Sequence, residues 1–326
     1  IKWYTSDMAN KKLKICVLFG GKAPEHDVSI VSAVKVIDAL DKNKYTVTKY
    51  KIPKNGKFNF NELKKYDVVI PILHGLFGED GTVQGLLKLI GVPFVGASVL
   101  GSAVGMDKDV MKRLLRDAGI PIAQFTSFNK SSIPSFKELE KKLGLPMFVK
   151  PANAGSSVGI TKVKSEKDFK KAIKDALAYD RKVIVEEAID GREIECGVIG
   201  NEEPLMSVPG ELIPKEEFYT YKAKYDDASG TEYRVPAILS KEEIKKIQNT
   251  VRKAYIALSC EGMGRVDCFL KKSGEVLVNE INTIPGPVMF RRMWEASGVP
   301  FSKLLDMLIN LALDRFKEEQ KLKTTF

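Results

Sequence analysis

Four residues set the first expectation: Arg265, Asp267, Glu280 and Asn282, within GMGRVDCFLKKSGEVLVNEINTIPG, residues 262–286. The stretch reads as two strands joined by a tight turn at Lys272-Ser273-Gly274-Glu275. Side chains alternate along a strand, so Arg265, Asp267 and Phe269 share one face, and Val278, Glu280 and Asn282 share another. Where those faces coincide, two carboxylates and an amide oxygen meet beside one cation. Carboxylates that close repel unless something positive lies between them. An oxygen-only set suits Mg2+, which is usually held by one or two carboxylates plus substrate phosphates. Alone, the pair is more simply a solvated hairpin, so the other pieces decide.

Lys150 ends a short strand and runs into Pro151-Ala-Asn-Ala-Gly155-Ser156-Ser157-Val-Gly159. Small residues let a backbone close on phosphate oxygens, the hydroxyls of Ser156 and Ser157 add donors, and Lys150 supplies a point charge. Glu186-Glu187-Ala188-Ile189 is a strand end whose backbone groups could meet an adenine ring, and Glu193 is placed for ribose hydroxyls. Lys108 is a further phosphate cation. Each alone has a plainer reading: a hairpin turn, surface acids on an edge strand, a surface lysine. No GxxxxGK[ST] occurs, and Gly262-Met-Gly264 lacks the third glycine and following helix of a dinucleotide fingerprint.

The elements that must position these groups follow from periodicity. Lys14–Gly21 and Tyr66–Leu73 read as buried parallel strands and Pro93–Gly96 as a further short one. Asp27–Leu40 has a helical apolar period with Asp27 as cap, and Thr82–Ile90 is helical. This is an open α/β domain, whose ligands belong at the strands' carboxyl ends, where the loops 20–27 and 73–81 lie. An α+β segment follows. Asp107–Ala118 is an amphipathic helix, Ser135 and Glu138 form a capping box, and Glu193–Ile199 continues the sheet of Lys182–Glu187. Residues 216–234 read as a long loop or lid. Ser240 caps a helix, and Ser302–Leu313 is the last helix, with a fraying charged tail.

The chain has 326 residues, 44% of them hydrophobic, so it can bury a core in two or three domains. No apolar run reaches the roughly 18 residues of a membrane span, nothing reads as a secretory signal, and Ile1–Asn10 is a polar leader. Cys16, Cys196, Cys260 and Cys268 form no CxxC and read as reduced core cysteines of a cytosolic protein. The net charge of +10 is spread over helix surfaces, which suits a polyanionic substrate better than nucleic acid.

Taken in order, LFGGKAPEHDVS (18–29), LHGLFGEDGTVQGLL (73–87), MDK (106–108), FVKPANAGSSVG (148–159), VEEAIDGREIECGV (185–198), YKAKY (221–225), GRVDCF (264–269) and NEINTIPG (279–286) resemble the D-alanine–D-alanine ligases of the ATP-grasp superfamily. The resemblance implies an α/β and α+β protein of three domains: an N-terminal open parallel-sheet domain (11–105), a central ATP-grasp domain (106–190) and a C-terminal one (191–326) with the lid and hairpin. It implies ATP and two Mg2+ (or Mn2+) ions held by Asp267, Glu280 and Asn282. Lys108, Lys150 and Ser157 would meet phosphates, Glu186 to Ile189 adenine, and Glu193 ribose, with Phe218 and Phe269 beside the nucleotide. Glu25 would take the ammonium of the first D-alanine, with Val28 and His74 near the amino acids. Glu25, Ser156 and Tyr225 resemble a hydrogen-bonded triad, Lys224 would reach the transferred phosphate, and Arg265 with the Gly286 amide would hold the oxyanion. No nucleic acid or membrane is implied, and a homodimer is left open.

Two features bear on the acceptor. D-lactate-using ligases carry histidine where this chain has Tyr225, so tyrosine resembles the dipeptide-forming members. After Gly286 the family's Phe-Thr-x-x-Ser is replaced by Pro287-Val288-Met289-Phe290-Arg291-Arg292, about three residues shorter and without the serine. Arg291 or Arg292 is the candidate substitute, and D-serine or D-lactate stays open beside D-alanine. A catalytically dead nucleotide-binding regulator is disfavoured by intact Lys150, Asp267, Glu280 and Asn282. A nucleic-acid binder is disfavoured by Asp226, Asp227 and Glu232 within the aromatic lid.

Overall fold

The computed structural model describes residues 12–213 and 232–324. The expected Lys224, Tyr225 and Phe218 contacts, and most of the 216–234 segment, lie outside the described residues. Three sheets carry the molecule. The first contains β1 (Leu13–Gly20), followed by α1 (His26–Ala39), β2 (Tyr45–Ile52), β3 (Val68–Ile72), α2 (Thr82–Leu89) and α3 (Val99–Met106). Its strand order is β2-β1-β3, all parallel. Both faces are covered, so β1 is apolar at consecutive positions: Ile15, Val17 and Phe19 enter one core, Cys16 and Leu18 another.

The next segment opens with α4 (Lys108–Asp117), then β4 (Phe125–Asn129), α5 (Phe136–Leu143), β5 (Met147–Pro151), β6 (Thr161–Val163), α6 (Glu166–Ala176) and β7 (Lys182–Glu187). These strands form an antiparallel sheet ordered β4-β7-β5-β6. Asp107 caps α4 by accepting the Asp109 and Val110 amides, and Ser135 with Glu138 makes the expected capping box on α5.

The third sheet holds β8 (Arg192–Ile199), β9 (Leu205–Met206), β10 (Gly210–Ile213), β11 (Glu232–Arg234), β12 (Met263–Leu270) and β13 (Val276–Asn282). Its order is β11-β10-β8-β12-β13, with β9 added on β8. The helix α7 (Lys241–Ala257) lays Ile247, Val251, Ala254 and Tyr255 against it. Then come α8 (Pro287–Ala296) and α9 (Phe301–Gln320). The last helix returns to the first sheet, where Leu304, Leu308 and Ile309 share a core with Val17 and Ile70.

Several expectations are corrected. Glu25, not Asp27, precedes the first helical residue of α1, and Asp27 lies in its first turn. The 93–96 segment is a single parallel bridge of Phe94 to Val69 rather than a strand. The run 193–199 does not extend the sheet of 182–187 but is the centre of the third sheet, because it pairs with β12 along its whole length. The charged end of α9 stays helical to Gln320. The four cysteines are free and buried, as expected.

Gly262 shows how closely the segment entering β12 meets the one between α2 and α3. It has φ +70°, and a Cβ there would stand 2.4 Å from the Gly96 carbonyl oxygen. Gly262→Ala meets both a disfavoured backbone conformation and a backbone atom that cannot yield, so it is expected to destabilise the protein by more than about 1 kcal/mol. Denaturant unfolding of the variant against the parent measures this.

Candidate active site

The hairpin of β12 and β13 pairs Arg265 with Asn282 and Asp267 with Glu280. The register then shifts, and Cys268 pairs with Val278, so Asn279 is the extra residue of a bulge. The bulge corrects one expectation: Val278 does not share the face of Glu280 and Asn282 but turns into the core beside Cys268. Bulges re-aim side chains in this way beside functional sites. Across the sheet, Asp267 also faces Glu195 on β8, so three carboxylates lie in one row over adjacent strands. Arg265 answers them. Its guanidinium forks onto both Asp267 oxygens at 2.7 Å and lies 3.3 Å from Glu195. Burial opposes the Arg265 charge, but Asp267, Glu195 and Glu280 outweigh it and hold the group well above the usual arginine range. Asn282 donates its amide nitrogen to Asp267 at 2.9 Å, so its carbonyl oxygen is the atom it can offer a ligand.

Facing the hairpin is the loop after β5. Ser156 and Ser157 have φ +52° and +59°, and Gly159 +70°. Positive φ is uncommon outside glycine, and such residues cluster at ligand clamps. The loop is tied at its start by Asn153, which donates to Asp180 from backbone and side chain. Lys150 Nζ donates to Glu186 at 2.8 Å. Lys108, just inside α4, donates to the Ala154 carbonyl at 2.8 Å and reaches within 3.6 Å of Glu280, bridging loop and hairpin. Glu186 is buried, which would raise its pKa, yet Lys112, Lys150 and Lys108 hold it below the usual carboxylate range.

Loops of the first sheet close the third side. His74 has Nε2 3.0 Å from the Ser32 hydroxyl, and burial pushes its imidazole down to about 4, the Ile284 backbone opposing and Arg265 adding. Glu25 is buried behind two glycines: a Cβ on Gly75 would stand 2.4 Å from one of its oxygens, and one on Gly155 3.2 Å from the other. Glu79 accepts the Gly75 amide at 2.7 Å and the Ile284 amide at 3.2 Å, joining this loop to the segment after the hairpin.

These walls enclose a cavity of about 780 Å3. Of the expected residues, Val28, His74, Lys108, Lys150, Ser156, Ser157, Glu186, Glu187, Ala188, Ile189, Glu193, Arg265, Asp267, Phe269, Glu280, Asn282 and Gly286 all line it. Glu25, Arg291 and Arg292 do not, Glu25 being buried behind Gly75 and Gly155. Arg291 bonds Glu295 at 2.8 Å and stacks on Phe301, because Gly286 and Pro287 start α8 at once and carry both arginines away along it. Three contributors went unnoticed in the sequence: Glu195, Glu79 and Lys112. Glu195 was legible in principle, since it shares the strand face of Glu193. Nothing local marks Lys112, a lysine on a helix.

Among the described residues no group of three or more His, Cys, Asp or Glu side chains could hold a metal ion. The mixed set of Asp267, Glu280 and the Asn282 carbonyl is all oxygen and opens on the cavity, which fits Mg2+ completed by phosphates rather than a closed protein cage.

The chain is similar to known proteins over nearly its whole length. A family model described as "D-ala D-ala ligase C-terminus" matches residues 114–310, and one for the N-terminus of the same ligases matches 14–66 and 59–97. A D-alanine–D-alanine ligase of Oceanobacillus iheyensis is 44% identical over 96% of this chain and 99% of its own. Ligase A of Escherichia coli is 43% identical over 97% and 100%. Among solved structures, a D-alanine–D-alanine ligase of Coxiella burnetii superposes with a TM-score of 0.86 at 37% identity, covering 96% of this chain and 97% of that one. VanG, a D-Ala:D-Ser ligase of Enterococcus faecalis, gives 0.83 at 35% identity, covering 93% and 100%. The fold is that of the ATP-grasp ligases. Within that class, the chain belongs to the D-alanine–D-alanine ligase family.

Burial raises Glu79 from 4.5 to about 7, its two amide donors opposing and Glu25 and Glu280 adding. A carboxyl raised on folding contributes stability that is complete below pH 4.5 and lost as pH rises through 7. Glu79→Gln is therefore expected to flatten the fall in unfolding free energy between pH 5 and 8, a fall of about 3 kcal/mol at most from this group. Urea unfolding of both proteins across that range is the check.

Proposed function

We propose that the protein joins two D-alanines to D-alanyl-D-alanine at the expense of ATP, through an acyl phosphate, in peptidoglycan precursor synthesis. The observation that carries this is the meeting of Lys108, Lys150 and the Arg265–Asp267–Glu280–Asn282 hairpin in one cavity of a chain of this family. ATP and a carboxylate are both anions, and the problem of the reaction is to bring them together.

In this reading Lys108 and Lys150 bind phosphates, with Ser156 and Ser157 adding donors at the mouth. Glu186 to Ile189 meet the adenine, Glu193 the ribose, and Phe269 packs beside the nucleotide. Asp267, Glu280 and Asn282 would hold two Mg2+ or Mn2+ ions, which when bound supply positive charge against the triphosphate. Glu25 holds the ammonium of the first D-alanine, and Val28 and His74 border the amino acids. A carboxylate oxygen of the first D-alanine attacks the γ-phosphorus, the bond from that phosphorus to the bridging oxygen breaks, and ADP leaves. The amine of the second D-alanine then attacks the acyl carbon. Charge gathers on the carbonyl oxygen beside Arg265 and the Gly286 amide. Phosphate departs as the amine loses its proton and the peptide bond remains. A neutral His74, as its burial dictates, presents no competing charge to the ammonium. Holding both amino acids side by side supplies much of the rate through orientation.

The same reading assigns the three sheets to domains 11–105, 106–190 and 191–326. A cytoplasmic location belongs to the same reading, which leaves a homodimer open. For location the structure offers only that no helix among the described residues is long and apolar enough to cross a membrane. One observation favours a second acceptor, D-serine or D-lactate: α8 begins directly after Gly286, and its arginines leave the acceptor side.

ADP release measured with D-alanine, D-serine and D-lactate as acceptors tests the function. D-alanine is expected to give the highest kcat/KM; a preference for either of the others would replace this acceptor assignment. Glu280→Gln is expected to lower kcat on the order of 10²-fold or more. Near-parental turnover would remove Glu280 from the metal set.

A further inference from the structure

The inner face of α4 presents Lys108, Met111, Lys112 and Leu115, the spacing of a core stripe. Met111 and Leu115 are ordinary core residues. Lys112 is not: its side chain has 0% exposure, and its Nζ makes no hydrogen bond. The nearest anion is Glu186, whose Oε1 lies 3.5 Å away and also lacks a hydrogen bond. The other Glu186 oxygen receives Lys150 at 2.8 Å. One buried carboxylate thus stands between two ammonium groups. Lys112 is sealed inside, whereas Lys150 keeps 12% exposure on the cavity wall.

Packing gives no reason for this arrangement. Sealing an ammonium away from water costs several kcal/mol, and an apolar side chain of similar volume often serves stability as well or better. The charge arithmetic does give one. If Lys150 were the only partner of Glu186, any phosphate drawing Lys150 away would strand a buried carboxylate. With Lys112 fixed behind it, Glu186 keeps a cation beside it wherever Lys150 goes, and Glu186 in turn opposes the burial that pulls the Lys112 ammonium below the usual lysine range.

We propose that Lys112 is a positioning residue, the permanent counter-ion of Glu186 that frees Lys150 for the phosphates of the nucleotide. The proposal rests on the nucleotide reading of the cavity given above. Lys112 touches no ligand; it acts through Glu186. Its neutralisation leaves Lys150 committed to Glu186 and weakens the hold on a triphosphate.

A double-mutant cycle tests this by calorimetric titration with a non-hydrolysable ATP analogue and Mg2+. Lys112→Met is expected to weaken the analogue about tenfold, while the melting temperature stays near the parental value because Lys150 still pairs with Glu186. In a Glu186→Gln background, where nothing holds Lys150 back, the same change is expected to alter affinity by less than about twofold. Unchanged affinity in Lys112→Met, or equal losses in both backgrounds, would overturn the proposal. A loss of affinity matched by a large fall in melting temperature would also overturn it, since that marks a packing role. Lys112→Gln carries the same expectations should the Met variant not fold. Failure of the unaltered protein to bind the analogue would instead sink the nucleotide reading itself.

Discussion

Like charges cannot share a dry cavity unless opposite charges are built in beside them, and the site depends on that constraint. Glu195, Asp267 and Glu280 lie in a row across three neighbouring strands. Arg265 touches Asp267 and Glu195, and Lys108 stands by Glu280. Across the cavity, Glu186 lies between Lys112 and Lys150. The protein's own acids engage these cations. A triphosphate brings several negative charges, and divalent ions bring positive ones. In the proposed reading, bound together they would give each side a substitute partner: phosphate for Lys108 and Lys150, metal for Asp267 and Glu280. On that reading, binding is an exchange of ion pairs rather than the filling of a neutral hole.

The fold sets the distances over which that exchange works. Two antiparallel sheets supply opposite walls, the strand end at Lys150 with its strained serine turn on one and the bulged hairpin on the other. The bulge at Asn279 matters because strict alternation would have put Val278 in line with Glu280, whereas the bulge turns it into the core. The parallel sheet brings Glu25, His74 and Glu79 to the same place at its strands' carboxyl ends. Glu79 then ties the third wall to the hairpin through the Ile284 amide. The return of α9 beneath the first sheet joins the two ends of the chain in one core.

Much of this was legible in the order of residues. Alternation put Arg265 with Asp267 and Glu280 with Asn282, and the hairpin pairing of the structure brings the two faces together. The loop after Lys150 was legible as a tight turn from its run of small residues, and the structure adds positive φ at Ser156, Ser157 and Gly159. What was hidden depended on long-range pairing. Propensity could not tell that 193–199 would leave the sheet of 182–187 and join β12, since both arrangements bury the same apolar residues. Glu195 was missed for that reason, as its meaning comes from facing Asp267. Lys112 was missed because a lysine on an amphipathic helix ordinarily points to water, and only the packed structure shows that this one does not. Arg291 and Arg292 were misjudged as acceptor-side groups because the immediate start of α8 at Pro287 has no strong signal in an apolar run ending in two arginines.

The most direct test of the central claim is a crystal structure of the protein with Mg2+ and a non-hydrolysable ATP analogue. The account predicts the triphosphate between Lys108, Lys150 and the hairpin, with Asp267 released from the Arg265 fork and Lys150 moved off Glu186. A nucleotide bound elsewhere, or one bound in the cavity with both ion pairs intact, would contradict it.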